Sequence, residues 1–164
     1  MSEMKIEKAK NENVNDIVVL NSFVQEKHRE HHPDHFKSSD LVSCEASNFF
    51  ERLIKTENNY IFIAYKEDNP VGYIWFTIDN ITENPFKTGR KQIYIHQIVV
   101  HKQYRQQAIG RSLFEKAEMT AKQNNIDHYE LDTWAFNSEA HEFFKKLGFE
   151  TFNIRMWRNS NKGT

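Results

Sequence analysis

The stretch Ile95–Gly110, IHQIVVHKQYRQQAIG, decides how this chain reads: an apolar strand breaks into a short polar turn and then opens a helix. Chemistry gathers at such a junction because the first backbone N–H groups of a helix have no partner inside it and sit at the positive end of its dipole. The small residues Ala108 and Gly110 let a phosphate group come close to that backbone, and Arg105 and Arg111 put positive charge beside it. A helix start of this kind also occurs as an ordinary solvent-facing turn in α/β proteins, so its meaning depends on the rest of the chain.

The 164 residues, 38% of them hydrophobic and thirteen of them phenylalanine, suffice to bury one core. The length suits one domain, residues 1–164, better than two. A formal net charge of −1 exerts no global pull on nucleic acid or anionic lipid, so any anion site is local. The lone Cys44 cannot form an internal disulfide, which fits a reducing compartment. No apolar stretch approaches the roughly 20 residues that span a bilayer, and Met1 to Lys10 is too charged for a signal peptide. The expected location is the cytoplasm, with neither membrane nor nucleic acid as partner.

Apolar periodicity predicts alternating elements with short connections. A first strand over Met4 to Ala9 precedes a helix over Val14 to Glu30, with Ile17, Leu20 and Val24 on one face. His28 to Ser43, rich in His, Asp and Ser and carrying Pro33, reads as a loop, and Glu45 to Thr56 as a second helix. Tyr60 to Tyr65 and Val71 to Ile78 are β-rich runs joined through Glu67-Asp68-Asn69-Pro70 as a hairpin. Lys91 to Val100 is the strand before the junction, and Ile109, Leu113, Ala117 and Ala121 mark the core stripe of the helix after it. His128 to Trp134 is the next strand. Asn137 offers an N-cap to a fourth helix that Gly148 stops, and Phe149 to Arg158 reads as a last strand. The order β-α-α-β-β-β-α-β-α-β describes an α/β (α+β) mixed sheet with helices on its faces.

His28, His31, His32 and His35 include an i, i+4 pair, a spacing that zinc sites use. With no cysteine nearby and no HExxH order, this cluster reads as a solvated helix end, and no metal is expected. Tyr73, Trp75 and Trp134 fall on predicted central strands, where they either pack in the core or offer a π-face to a cationic amine.

Two motifs then carry a family resemblance. Arg105-Gln106-Gln107-Ala108-Ile109-Gly110 matches a [Q/R]-x-x-G-x-[G/A] loop with Ala108 in place of the first glycine. Asn137-Ser-Glu-Ala-His-Glu-Phe-Phe-Lys-Lys-Leu-Gly-Phe149 resembles an N-x-x-A-x-x-F-Y-x-K-x-G-F helix. With strand, turn and helix around them, the chain resembles the GNAT superfamily of acyl-coenzyme A dependent N-acetyltransferases over nearly its whole length. The resemblance implies a single domain whose fourth and fifth strands splay apart. It implies acetyl-coenzyme A as co-substrate, with its pyrophosphate on the loop amides of Arg105, Gln106, Gln107, Ala108, Ile109, Gly110 and Arg111. The pantetheine arm would pair with the strand backbone at Ile98, Val99 and Val100, and Asn137 would hold the arm from the other side. Because φ is negative at an ordinary helix entry, alanine is allowed at 108, and its methyl group is expected to weaken cofactor binding without abolishing it.

The resemblance further implies acetyl transfer by direct attack of a primary amine, on a small molecule or a peptide, with His28 to Ser43 lining the acceptor site. At the position where the family often carries a carboxylate base stands His96, which can take a proton near neutrality or simply hydrogen-bond a neighbour. Where a tyrosine commonly protonates the departing thiolate stands Phe144, which has no proton to give; water, Tyr94 or Tyr104 would have to substitute. Two other readings remain: a degenerate acyl-coenzyme A binding module, motivated by Phe144 and Ala108, and a DNA-binding regulator using Tyr104 to Lys122 as a recognition helix. The near-neutral charge speaks against the second. The segment Arg155 to Thr164 could pair with a second subunit as a homodimer.

Overall fold

The computed structural model describes residues 4–160, giving the backbone alone for 39–43. The elements are β1 (Met4–Lys8), α1 (Val14–His31), α2 (Ser39–Lys55), β2 (Asn59–Lys66), β3 (Asn69–Ile81), β4 (Arg90–Val100), α3 (Ile109–Gln123), β5 (Tyr129–Leu131) and α4 (Ser138–Lys146). The five strands form one sheet in the order β1-β2-β3-β4-β5. Pairing is antiparallel from β1 through β4 and parallel between β4 and β5, so the sheet is mixed. The chain divides into two compact units, Met1–Asp132 and Thr133–Thr164.

In the first unit, helices pack on the central strands from both sides, which is why Val71, Gly72, Tyr73 and Ile74 are all buried in succession. Tyr73 and Val99 share a cluster with Ile61 and Ile63 of β2, Ile17 and Leu20 of α1 and Phe50 of α2. Ile74 and Phe76, of opposite parity on β3, are fully buried away from that cluster. α3 buries Ile109, Leu113, Ala117 and Ala121, the stripe its periodicity predicts, and Phe114 and Thr120 besides. Gly72 is obligatory where β3, β4 and α3 meet: a Cβ there would lie 2.6 Å from the Val99 carbonyl oxygen and 3.2 Å from Leu113 Cδ1. The β2–β3 hairpin turns through Glu67 and Asp68, at φ 50° and 62°, the two positive values of a tight turn whose twist matches that of the strands.

In the second unit, Asn137 caps α4 as its sequence predicts, its Oδ1 accepting from the Ala140 amide at 3.4 Å. Gly148 stops the helix at φ +89°. The Gly148 amide donates to the Lys145 carbonyl at 3.0 Å and the Phe149 amide to the Phe144 carbonyl at 3.0 Å. The rings of Phe144 and Phe149 meet edge-on at 5.5 Å, the apolar contact that accompanies such a C-terminus.

Three expectations are corrected. The break at His28–Ser43 is shorter, because α1 continues to His31 and α2 begins at Ser39, the polar residues there opening a helix instead of lengthening a loop. The strand at His128–Trp134 is confined to Tyr129–Leu131, the only residues registered against β4. Phe149–Arg158 forms no strand among the described residues: its alternating Phe152, Ile154 and Met156 are 82%, 75% and 88% exposed, and alternation by itself does not make a sheet strand. Residues 161–164 of the segment assigned to a second subunit lie outside the described residues.

Candidate functional site

The site begins at a mismatch in β4. Trp75 pairs with Gln97 and Phe76 with Ile95, so His96 has no residue opposite it and forms a β-bulge. A bulge re-aims the extra side chain. Here the imidazole lies on the Trp75 indole with ring centroids 4.2 Å apart and meets the Tyr94 ring edge-on at 4.9 Å. Its Nε2 is 3.0 Å from Thr77 Oγ1. Shielding from water holds the His96 pKa below its ordinary value near 6.5, partly offset by the Asp79 carboxylate, so the ring is neutral at pH 7. Phe49 of α2 continues the aromatic surface, 5.5 Å from Trp75. At its other end the Tyr94 hydroxyl donates to Asp132 Oδ2 at 2.8 Å, and burial together with that carboxylate pushes the phenol up to about 12.

Beyond the bulge, β4 loses its neighbour. β5 pairs only with Ile93, Tyr94 and Ile95, so the two strands part at His96, as expected of splayed strands. The His101 amide donates to the Val71 carbonyl at 2.8 Å, which makes 71/101 a hydrogen-bonded pair. In an antiparallel ladder such pairs alternate, so 73/99 is the next, while Ile98 and Val100, opposite Ile74 and Gly72, turn their N–H and C=O away from β3. Ile98 and Val100 thus face the side that β5 has left. Val99 does not: its backbone is spent on β3 and its side chain is in the core.

The chain leaves β4 through a single 3-10 turn, Lys102–Tyr104, and enters α3 by a route that ordinary helix geometry does not predict. Gln106 and Ala108 both sit in the left-handed region, at φ 61° and 60°. The expectation that Ala108 has negative φ is therefore wrong. An L-residue with a Cβ is strained there by roughly 1–2 kcal/mol, and glycine is the residue that fits. The left-handed turns hold the amides of this loop away from local carbonyls. The amides of residues 108–111 make no bond to an upstream backbone carbonyl among the described residues, and the first helical bond runs from Ser112 to Ala108 at 3.0 Å.

The charge around those amides also differs from expectation. Arg105 remains beside the loop, its Nε donating to the Val100 carbonyl at 3.4 Å. Arg111 is committed along α3, to Glu115 at 3.3 Å and Glu118 at 3.1 Å, so its charge is largely offset by its own helix. A second cation reaches the loop from elsewhere in the chain: Lys66, at the end of β2, with Nζ 2.8 Å from Gln107 Oε1. Sequence inspection missed it because β2 lies far from the loop along the chain.

Other candidates fall elsewhere. Tyr73 is fully buried and donates to Gln97 Oε1 at 2.6 Å, with Asn21 Nδ2 donating to the Tyr73 hydroxyl at 3.0 Å and to Gln97 at 3.2 Å. It cannot wall an open site. Trp134 is on no strand and stacks on Phe136 within the second unit. Within the first unit, Trp75 borders the bulge. His28 packs against Phe36 at 4.9 Å, and His31 Nδ1 lies 2.9 Å from the Lys27 carbonyl. Among the described residues no three His, Cys, Asp or Glu side chains are grouped to hold a metal ion. Nor is any described helix long and apolar enough to cross a membrane.

Comparison with known proteins places this geometry in context. Residues 18–149 match the family described as Acetyltransferase (GNAT) family. An uncharacterised N-acetyltransferase of Methanocaldococcus jannaschii is 33% identical over 107 residues, covering 62% of this chain and 44% of that protein. This chain therefore spans less than half the length of that relative. Among solved structures, a tetramutant of a Bacillus halodurans protein superposes with a TM-score of 0.87 at 24% identity, covering 94% of this chain and 99% of that one. An aminoglycoside N-acetyltransferase solved in complex with CoA superposes with a TM-score of 0.71 at 17% identity, covering 98% and 97% of the two chains. At these identities the superpositions show a shared fold.

Proposed function

The chain belongs to the acetyltransferase (GNAT) family, and from that premise we propose that it transfers an acetyl group from acetyl-coenzyme A to a primary amine of a small molecule or peptide, by direct attack, in the cytoplasm. What carries this reading is the continuity of β4 with the loop: the outward backbone of Ile98 and Val100 runs into the uncommitted amides of residues 108–111. The first suits the amides of a pantetheine arm, which adds to a sheet edge as a short strand would. The second suits a pyrophosphate, an anion at a helix N-terminus. Ile98, Val100, Gln106, Gln107, Ala108, Ile109, Gly110 and Arg105 are the cofactor residues in this reading. Arg111 contributes its amide only, and Asn137 is assigned on its motif alone. Residues 1–164 act as one transferase domain.

The acceptor amine lies against Trp75 and His96. A protonated amine is attracted by the indole face, by Asp79, whose charge acts on His96, and by Asp132, which holds the Tyr94 hydroxyl. Attack requires the free base. In the tautomer whose Nε2–H donates to Thr77, the neutral imidazole keeps a lone pair on Nδ1 that takes the ammonium proton, directly or through water. The nitrogen then bonds to the thioester carbonyl carbon and the C–S bond breaks; the second proton lost by the nitrogen reaches the departing thiolate through water, and His96 returns its proton to solvent. A thiol pKa near 8.5 makes this departure workable without a tyrosine at position 144.

The test is titration of the protein with acetyl-coenzyme A, followed by an amine panel scored for thiol release. Gly110→Asp places a carboxylate where the pyrophosphate binds and should weaken affinity at least tenfold, about 1.4 kcal/mol. Unchanged affinity in the folded variant would remove the loop from the site. Tight binding with no thiol release on any amine would favour a binding module over a transferase, and salt-sensitive gel shifts would favour a DNA-binding regulator.

A further inference from the structure

We propose that Lys66, delivered by the β2–β3 hairpin and outside both sequence motifs, is a diphosphate-binding residue that also positions the loop. The inference rests on the cofactor reading above.

Its Nζ lies 2.8 Å from Gln107 Oε1 and 6.0 Å from the Tyr104 ring centroid, touching the loop on two sides. Gln107 sits between the two left-handed residues, Gln106 and Ala108, so a hydrogen bond to its side chain braces the part of the loop least stable by itself. The ammonium has three donors and one goes to a neutral amide oxygen. Among the described residues Lys66 has no carboxylate in ion-pair range. A cation left uncompensated at the mouth of a loop of uncommitted amides matches a ligand with two adjacent negative phosphates. It replaces the charge that Arg111 spends on Glu115 and Glu118.

Calorimetry on the full chain separates the possibilities, using coenzyme A, 3′-dephospho-coenzyme A and pantetheine as probes with wild type, Lys66→Ala and Lys66→Arg. Lys66→Ala should weaken coenzyme A and its dephospho form by the same factor, about five- to twentyfold. The range is that of a partly exposed charge-assisted hydrogen bond. Lys66→Arg should recover most of the loss, and pantetheine should bind all three proteins alike. The wild-type advantage should shrink as salt is raised.

Coenzyme A affinity within twofold of wild type in Lys66→Ala overturns the proposal. An equal loss for pantetheine overturns it too, since the lysine would then matter through the fold. Loss for coenzyme A but not for the dephospho form would assign the lysine to the 3′-phosphate and overturn the diphosphate assignment. Wild type that binds neither coenzyme form would overturn the cofactor reading itself, a result distinct from any difference between variants.

Discussion

His96 lies nearly flat on Trp75, with 4.2 Å between ring centroids and 15° between planes, because the bulge in β4 leaves the histidine without a cross-strand partner and turns its ring onto the neighbouring strand. Stacking shields one face of the imidazole and lowers its proton affinity, while Thr77 fixes one nitrogen. A strand histidine in regular register would have neither property.

The first prediction concerns pH. With the His96 pKa below 6.5, kcat/KM should be flat through neutrality and fall only as pH drops through that depressed value. His96→Ala should lose roughly 10²–10⁴-fold in rate, together with the acid limb. An unchanged acid limb in His96→Ala would assign the proton to another group.

Stability should respond to the same protons. Burial lowers the pKa of both His28 and His96, so the unfolded chain takes up these protons at higher pH than the folded one. Their contribution is complete above the unfolded value near 6.5 and is lost as pH falls from there through the folded values. The urea midpoint should therefore drop between pH 7.5 and 5, and His28→Phe should reduce that drop. A midpoint independent of pH in this window would contradict the shielding of both rings.

Ala108→Gly should stabilise the protein. Relief of the left-handed strain is worth roughly 1–2 kcal/mol and the added freedom of glycine in the unfolded chain costs about 0.5–1 kcal/mol, leaving a net gain below about 1.5 kcal/mol. Coenzyme A affinity should be equal or higher. A lower melting temperature would mean that the loop does not hold φ near 60° in solution.

Gly72→Ala should do the reverse. Its methyl group would meet the Val99 carbonyl oxygen at 2.6 Å, backbone that cannot give way as a flexible side chain does. The strands must separate, at a cost of roughly 1–3 kcal/mol. Because Val99 is flanked by Ile98 and Val100, coenzyme A binding should weaken along with stability, which denaturant titration and calorimetry together would reveal. A variant equal to wild type in both would show that β3 and β4 are further apart.

How far the sequence reaches is clearest residue by residue. The stripe Ile109, Leu113, Ala117, Ala121 specifies α3 and its buried face, because a repeat near 3.6 residues admits one orientation on a sheet. Asn137 and Gly148 bound α4 for equally local reasons, an accepting side chain at one end and a positive φ at the other. That a turn leads from β4 into α3 is legible too, since it depends on residues adjacent in the chain. Phe152, Ile154 and Met156 mark the limit of such inference: alternation describes a strand but does not by itself make one.

Only the tertiary structure decides the remainder. That Tyr73 is buried while Trp75, two residues on, borders the bulge depends on which helices cover each part of β3. The bulge that re-aims His96 is a relation between two strands and is written in neither alone. The left-handed φ of Ala108 follows from how the chain must cross from β4 into α3, and the exchange of Arg111 for Lys66 follows from carboxylates on one helix and a hairpin brought in from elsewhere. Periodicity and capping are local and so are carried by sequence. Register, burial and the pairing of charges far apart in the chain arise only when the sheet has formed, and at this site they set which side chains face a ligand.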